Sequence, residues 1–168
     1  TLSTSIKNIR LLISDVDGVW TDGSFYKGTD GFEFKKFSVH DGVGVAMARA
    51  AELKVALISG RYSDATKFRA DELKIKDVYN GGLNKIPAYE DLKKKYHLED
   101  FEIAYLGDDL IDIPVMNLVG FPIAVSNAIK EVKDISVYTT ETCGGEGAFR
   151  EAVDWIISGQ NIKESVLK

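Results

Sequence analysis

Apolar residues along this chain gather in short runs, separated by stretches in which they recur at helical spacing. Leu11-Leu12-Ile13, Val55-Ala56-Leu57-Ile58, Val78-Tyr79, Ile103-Ala104-Tyr105-Leu106, Phe121 to Val125 and Ile135 to Tyr138 read as strands. They lack the polar alternation of a half-exposed sheet, so both of their faces should be covered. Between them the spacing predicts six helices. The first starts at Asp41, a residue able to cap it, and runs through Val45, Met47 and Ala48 to Leu53. Others pass through Ala65, Phe68 and Leu73, over Asn84 to Tyr96 with Ile86, Tyr89 and Leu92 on one face, and over Leu110 to Leu118, Asn127 to Val132 and Glu146 to Ile157. Strands alternating with helices imply an α/β fold: a central parallel sheet covered on both sides, joined by right-handed crossovers.

One segment breaks the alternation. Phe25-Tyr26 and Phe32-Glu33-Phe34 flank Gly28-Thr29-Asp30-Gly31, and Asp-Gly is a turn signal, so residues about 24–38 form a β-hairpin inserted after the first strand. An isolated hairpin is marginal. Its rings need a surface, either the domain's own core or a second subunit.

Composition narrows the class. A length of 168 residues fits one domain, 1–168, and apolar and charged fractions of 45% and 28% belong to a globular chain rather than a disordered one. The net charge of -5 gives no broad attraction to nucleic acid or to an anionic membrane. No apolar stretch approaches the roughly 18 residues of a membrane span, and Thr1 to Arg10 lacks the apolar centre of a signal peptide. The single cysteine, Cys143, excludes an intrachain disulfide and fits a reducing cytoplasm.

The chemistry-bearing residues stand where the strands end. Asp15 and Asp17 follow the first strand, Ser59-Gly60-Arg61 the Val55 strand, and Asp108 and Asp109 the Ile103 strand, with Lys85 just after the Gly81-Gly82 turn. Open α/β sheets bind ligands along that carboxyl rim. Residues at i and i+2 leave a strand on the same side, so Asp15 and Asp17 are expected to enter one space, where two acids repel unless a cation or a proton separates them. Several carboxylates, with no cysteine–histidine cluster, favour a hard cation, Mg²⁺ first. A lysine and a serine hydroxyl nearby suit a phosphoryl group, and phosphoryl transfer needs positioning and charge neutralisation above all. One carboxylate can attack phosphorus while the other handles the proton.

Asp15-Val16-Asp17-Gly18-Val19, Ser59-Gly60-Arg61, Lys85 and Gly107-Asp108-Asp109-Leu110-Ile111-Asp112 resemble, in order, the four motifs of the haloacid dehalogenase-like phosphatases. The resemblance implies the Rossmann-like three-layer α/β/α fold of that family, with Asp15 as nucleophile and Asp17 as general acid/base. Ser59 and Lys85 would hold the phosphoryl group. Mg²⁺ would bind the Asp15 carboxylate, the Asp17 carbonyl and Asp108, with Asp109 and Asp112 supporting the metal or orienting Lys85. No long insertion separates the motifs, so a cap domain is not expected. The stretches Val19 to Gly23, Gly107 to Met116 and Gly144 to Glu151 are similar to the capless members that remove the 8-phosphate from an eight-carbon 3-deoxy sugar acid in lipopolysaccharide synthesis. Those members are homotetramers whose hairpins meet at the centre, so that a neighbouring subunit caps each site. On that resemblance Arg61 favours the eight-carbon acid, since relatives acting on the nine-carbon analogue carry glutamate there. Gly60 and the Thr21 hydroxyl complete the substrate-binding set.

Other readings compete. A nine-carbon sugar acid phosphatase, or a broad sugar phosphatase, would use the same chemistry. A phosphate-accepting regulatory domain would share the acids and the lysine, but would carry its accepting aspartate on a mid-sheet strand and lack an acid two residues later. Lys67 and Arg69 read equally well as a solvated helix face, Arg150 as a substrate contact or a partner of Glu151 or another acid, and His40, His97 and Cys143 as structural residues.

Overall fold

The computed structural model describes residues 6–162 together with 166 and 167. Residues 1–5, half of the stretch read above for a leader, and the remaining positions of the 1–168 domain lie outside the described residues.

Six parallel strands form the sheet: β1 (Leu11–Ser14), β4 (Lys54–Ser59), β5 (Asp77–Asn80), β6 (Ile103–Gly107), β7 (Phe121–Ala124) and β8 (Tyr138–Thr139). Their order is β5-β4-β1-β6-β7-β8. Every residue of β1, β6 and β7 is buried, as the unbroken apolar runs require of strands covered on both faces. β2 (Tyr26–Lys27) and β3 (Glu33–Phe34) pair antiparallel as a separate hairpin. The helices are α1 (Val39–Ala50), α2 (Asp64–Glu72), α3 (Ile86–Tyr96), α4 (Ile113–Met116), α5 (Lys130–Ile135) and α6 (Ala148–Gly159), with α1 and α6 packed together. Trp20 and Phe149 stack at 4.4 Å between ring centres and anchor the loop after β1 to α6.

Several boundaries differ from the sequence reading for local reasons. Ser38, not Asp41, caps α1 by accepting from the His40 N–H. Leu110 to Leu118 is a 3₁₀ turn over Leu110–Asp112 followed by the short α4. The helix placed at Asn127 to Val132 begins at Lys130, because Asn127 is used elsewhere: its amide donates to the Gly18 carbonyl and accepts from the Gly144 N–H. The last strand is correspondingly later, Tyr138–Thr139 rather than Ile135 to Tyr138.

The chain runs outward from β1 through β4 to β5, then returns to the other side of β1 for β6, β7 and β8. This reversal is a switch point, the place where the carboxyl ends of open α/β sheets leave a crevice for ligands.

Candidate active site

Asp15 is the first residue beyond β1, and its N–H donates to the Leu106 carbonyl at the end of β6. Two strands therefore fix the backbone that carries it. Lys85, at the start of α3, reaches under the rim and is fully buried. Its ammonium lies 2.7 Å from Asp15 Oδ1, 2.7 Å from Asp112 Oδ1, 3.0 Å from the Ile58 carbonyl and 3.1 Å from the Tyr105 hydroxyl. Burial alone would lower the Lys85 pKa, but Asp15 and Asp112 outweigh it and hold the group charged. A phosphoryl oxygen approaching Lys85 would have to replace one of these acceptors. The lysine expected to hold phosphate is here bound to the acids around it.

Asp112 is consumed by the same network. Its Oδ1 also accepts from the Tyr105 hydroxyl at 2.5 Å, and its Oδ2 accepts from the Asp108 and Asp109 N–H groups at 3.0 and 3.2 Å. Asp112 thus shapes the loop after β6 and orients Lys85. Asp109 serves the loop alone: its carboxylate accepts from the Leu110 N–H and caps the 3₁₀ turn.

Asp15, Asp108 and Asp112 bring carboxylate oxygens within 4.8 Å of one another. Burial, and then the Asp112 charge, push the Asp15 pKa up to about 6 despite Lys85. Burial and the adjoining Asp15 carboxyl push Asp108 up to about 9. Asp108 Oδ1 is buried without a hydrogen-bond partner. Such an orphaned oxygen beside a second carboxylate, in an all-oxygen donor set, fits a hard divalent cation. Gly18 leaves the room: a Cβ there would sit 1.9 Å from Asp108 Oδ2, and its φ of +86° favours glycine in any case.

Asp17 lies in the turn after β1, and its Oδ1 accepts from Lys35 Nζ at 2.6 Å. Its side chain is 30% exposed, while that of Lys35 is wholly buried. The Ser59 hydroxyl, at the end of β4, donates to the Arg61 carbonyl at 2.8 Å, fixing the turn that Gly60 continues. Arg61 itself stacks over the Phe25 ring at 4.2 Å and donates to Glu33, which also accepts from the Ser63 hydroxyl at 2.8 Å. Thr21 is a correction. It is 1% exposed, and its hydroxyl oxygen accepts from the Gly18 and Gly23 N–H groups, so it braces the loop from inside and offers nothing to a substrate.

Lys67 pairs with Asp71 on the outer face of α2, while Arg69 pairs with Glu72 on the same helix and donates to the Ser38 carbonyl. Arg150 pairs with Asp154 one turn along α6, not with Glu151. The Gly144-Gly145 turn lies on the loop of the acids: a Cβ on Gly144 would meet the Gly18 carbonyl at 1.9 Å. Glu33, Lys35, Tyr105 and Asn127 join the site's surroundings without any of them being expected there from the sequence. Tyr105 had one available signal, since it shares a β6 face with Gly107, immediately before Asp108.

Comparison with known proteins places the chain in a family. The haloacid dehalogenase-like hydrolase family matches residues 48–149, and the chain belongs to that family. Among its relatives is the Salmonella typhi 3-deoxy-D-manno-octulosonate 8-phosphate phosphatase KdsC, 43% identical over 157 residues, 94% of this chain and 84% of that one. The solved structure of the Yersinia pestis 3-deoxy-D-manno-octulosonate 8-phosphate phosphatase superposes with a TM-score of 0.93 at 41% identity, covering 96% of this chain and 88% of its own. The Moraxella catarrhalis phosphatase of that name, solved with magnesium ion, phosphate ion and KDO, superposes with a TM-score of 0.94 at 35% identity, covering 99% of this chain and 95% of its own.

Proposed function

We propose that this chain is a Mg²⁺-dependent phosphomonoesterase that hydrolyses 3-deoxy-D-manno-octulosonate 8-phosphate (Kdo 8-phosphate) to Kdo and inorganic phosphate, a step in lipopolysaccharide synthesis. The observation that carries this reading is the setting of Asp15: buried at the end of the central strand, held on one oxygen by Lys85 and set beside Asp108.

Asp15 attacks phosphorus, and the new Asp15–phosphorus bond forms as the bond to the sugar oxygen breaks. Asp17 gives its proton to that departing oxygen, then takes one from the water that hydrolyses the aspartyl-phosphate. Lys85 keeps the Asp15 carboxylate ionised and aimed. The Ser59 hydroxyl, which donates to the Arg61 carbonyl, rotates to donate that hydrogen to a phosphoryl oxygen instead. Asp15, Asp108 and the Asp17 carbonyl would hold Mg²⁺, which would supply positive charge to offset that of the phosphoryl group. Arg61 receives the sugar carboxylate. Four copies assemble through the hairpin, a neighbour covering each site, in the cytoplasm. In support, Tyr26, Phe32 and Phe34 expose 70, 68 and 65% of their surface on that one hairpin.

Phosphate release from Kdo 8-phosphate with Mg²⁺, and its loss with chelator, tests the reading. Asp15→Asn should lower turnover at least a thousandfold while the protein keeps its fold; near wild-type activity would refute Asp15 as nucleophile. A preference for the nine-carbon 9-phosphate would move the substrate, and sedimentation of a monomer would remove the neighbour.

A further inference from the structure

The strand β3 and its flanks carry opposite chemistries on their two sides. Phe32 and Phe34 point outward and are exposed, whereas Glu33 and Lys35, in the alternate register, turn toward the site. Lysine is among the residues least often fully buried, because its ammonium leaves water only for an equivalent partner. The Lys35 side chain is 0% exposed, and the partner it has found is Asp17, at 2.6 Å. Among the described residues no other side chain bonds the Asp17 carboxylate. Asp17 itself stands in a turn, partly open to solvent, with no strand or helix to fix its rotamer.

From this geometry we infer that Lys35 is a positioning residue for the reaction: its buried ammonium holds the Asp17 carboxylate in the one orientation from which it serves the departing oxygen. The inference rests on the proposed role of Asp17 as acid/base. Nothing on β1 could do this work, since the strand ends at Ser14. Glu33 makes the placement reproducible. Two residues before Lys35, it is held by Arg61 and the Ser63 hydroxyl, so β3 is fixed in register when Lys35 meets Asp17. Released from Lys35, Asp17 would visit other staggered rotamers and lose part of the roughly 10²- to 10⁴-fold that a placed general acid contributes.

A latch that merely fastens the hairpin would also be a buried lysine–aspartate pair, so the test must read proton donation. Alkoxide leaving groups need a proton, whereas a nitrophenolate departs without one. Lys35→Met should lower kcat/KM on Kdo 8-phosphate at least tenfold more than on p-nitrophenyl phosphate. Across aryl phosphates of rising leaving-group basicity its rates should fall off more steeply than those of the wild type. In an Asp17→Asn background, the same substitution should add no further leaving-group dependence. Equal losses on both esters, or none, would overturn the inference and leave a hairpin latch. If Lys35→Met fails to fold, Lys35→Gln replaces it under the same criteria. Wild-type protein that is inactive on Kdo 8-phosphate but active on aryl phosphates would sink the substrate assignment alone, and the aryl series would still decide the role of Lys35.

Discussion

The Arg61 guanidinium, which follows β4 at the rim of the site, donates to the carboxylate of Glu33 on the hairpin. Held by that hydrogen bond, the Glu33 carboxyl has its pKa lowered to about 2, so the pair persists at every pH where the enzyme would work. A guanidinium proposed to receive the substrate carboxylate is therefore already holding one, and a sugar acid must displace Glu33 to reach it. Glu33→Gln removes the competing charge and keeps an acceptor for Ser63. An exposed pair of this kind is worth about 0.2–1 kcal/mol, so KM for Kdo 8-phosphate should fall about 1.4- to fivefold, with no such fall for a phosphate ester lacking a carboxylate. A KM that rises for both substrates would show that Glu33 serves only to hold the hairpin.

Among the described residues, Lys85 is the cation paired with two buried acids. Asp15 and Asp112 lie on its two sides at 2.7 Å, with side chains 5% and 0% exposed. Lys85→Met keeps the stem and removes the charge, leaving both carboxylates buried and unpaired. Breaking such a pair costs on the order of 3–5 kcal/mol, read as a lower urea midpoint. The loss should be larger at pH 8 than at pH 5, since at the lower pH the abandoned carboxyls can take up protons. It should shrink in the double variant with Asp112→Asn. An unshifted midpoint would mean that the network contributes nothing to stability.

Much of this site could be read from the chain because its parts are local. Apolar runs ending in Asp15, Ser59 and Asp108 mark strands whose carboxyl ends must converge, and parallel pairing brings them together without further information. What stayed hidden depends on distance along the chain. Lys35 and Glu33 find partners 18, 28 and 30 residues away, and nothing in the alternation of the hairpin says which side faces inward. Exposed aromatics and inward-facing charges invert the usual pattern on this hairpin. Thr21, expected at the substrate, and Asn127, expected to start a helix, differ from expectation for a related reason. A short polar side chain beside a tight loop bonds the backbone of that loop as readily as a ligand, and only the positions of Gly18, Gly23 and Gly144 show which it does.

Asp41 makes a prediction away from the chemistry. The residue read as a helix cap is fully buried in the first turn of α1, where Oδ1 accepts from the Arg150 N–H at 2.9 Å and Oδ2 has no partner. Burial raises its pKa to about 6, against the opposing pull of that N–H and of the charges of Arg69, His40 and Arg150. In the unfolded chain the same group titrates near 3.9. Between the two values the folded state binds more protons, so stability falls as pH rises from about 4 to about 6 and does not recover above it. Asp41→Asn keeps the acceptor for Arg150 and cannot ionise. Its melting temperature relative to wild type should climb across that window and level off above pH 7, a gain on the order of 3 kcal/mol between the ends. Parallel pH profiles for the two proteins would show that Asp41 is ionised in the folded state throughout, its buried charge already answered by Arg69 and Arg150.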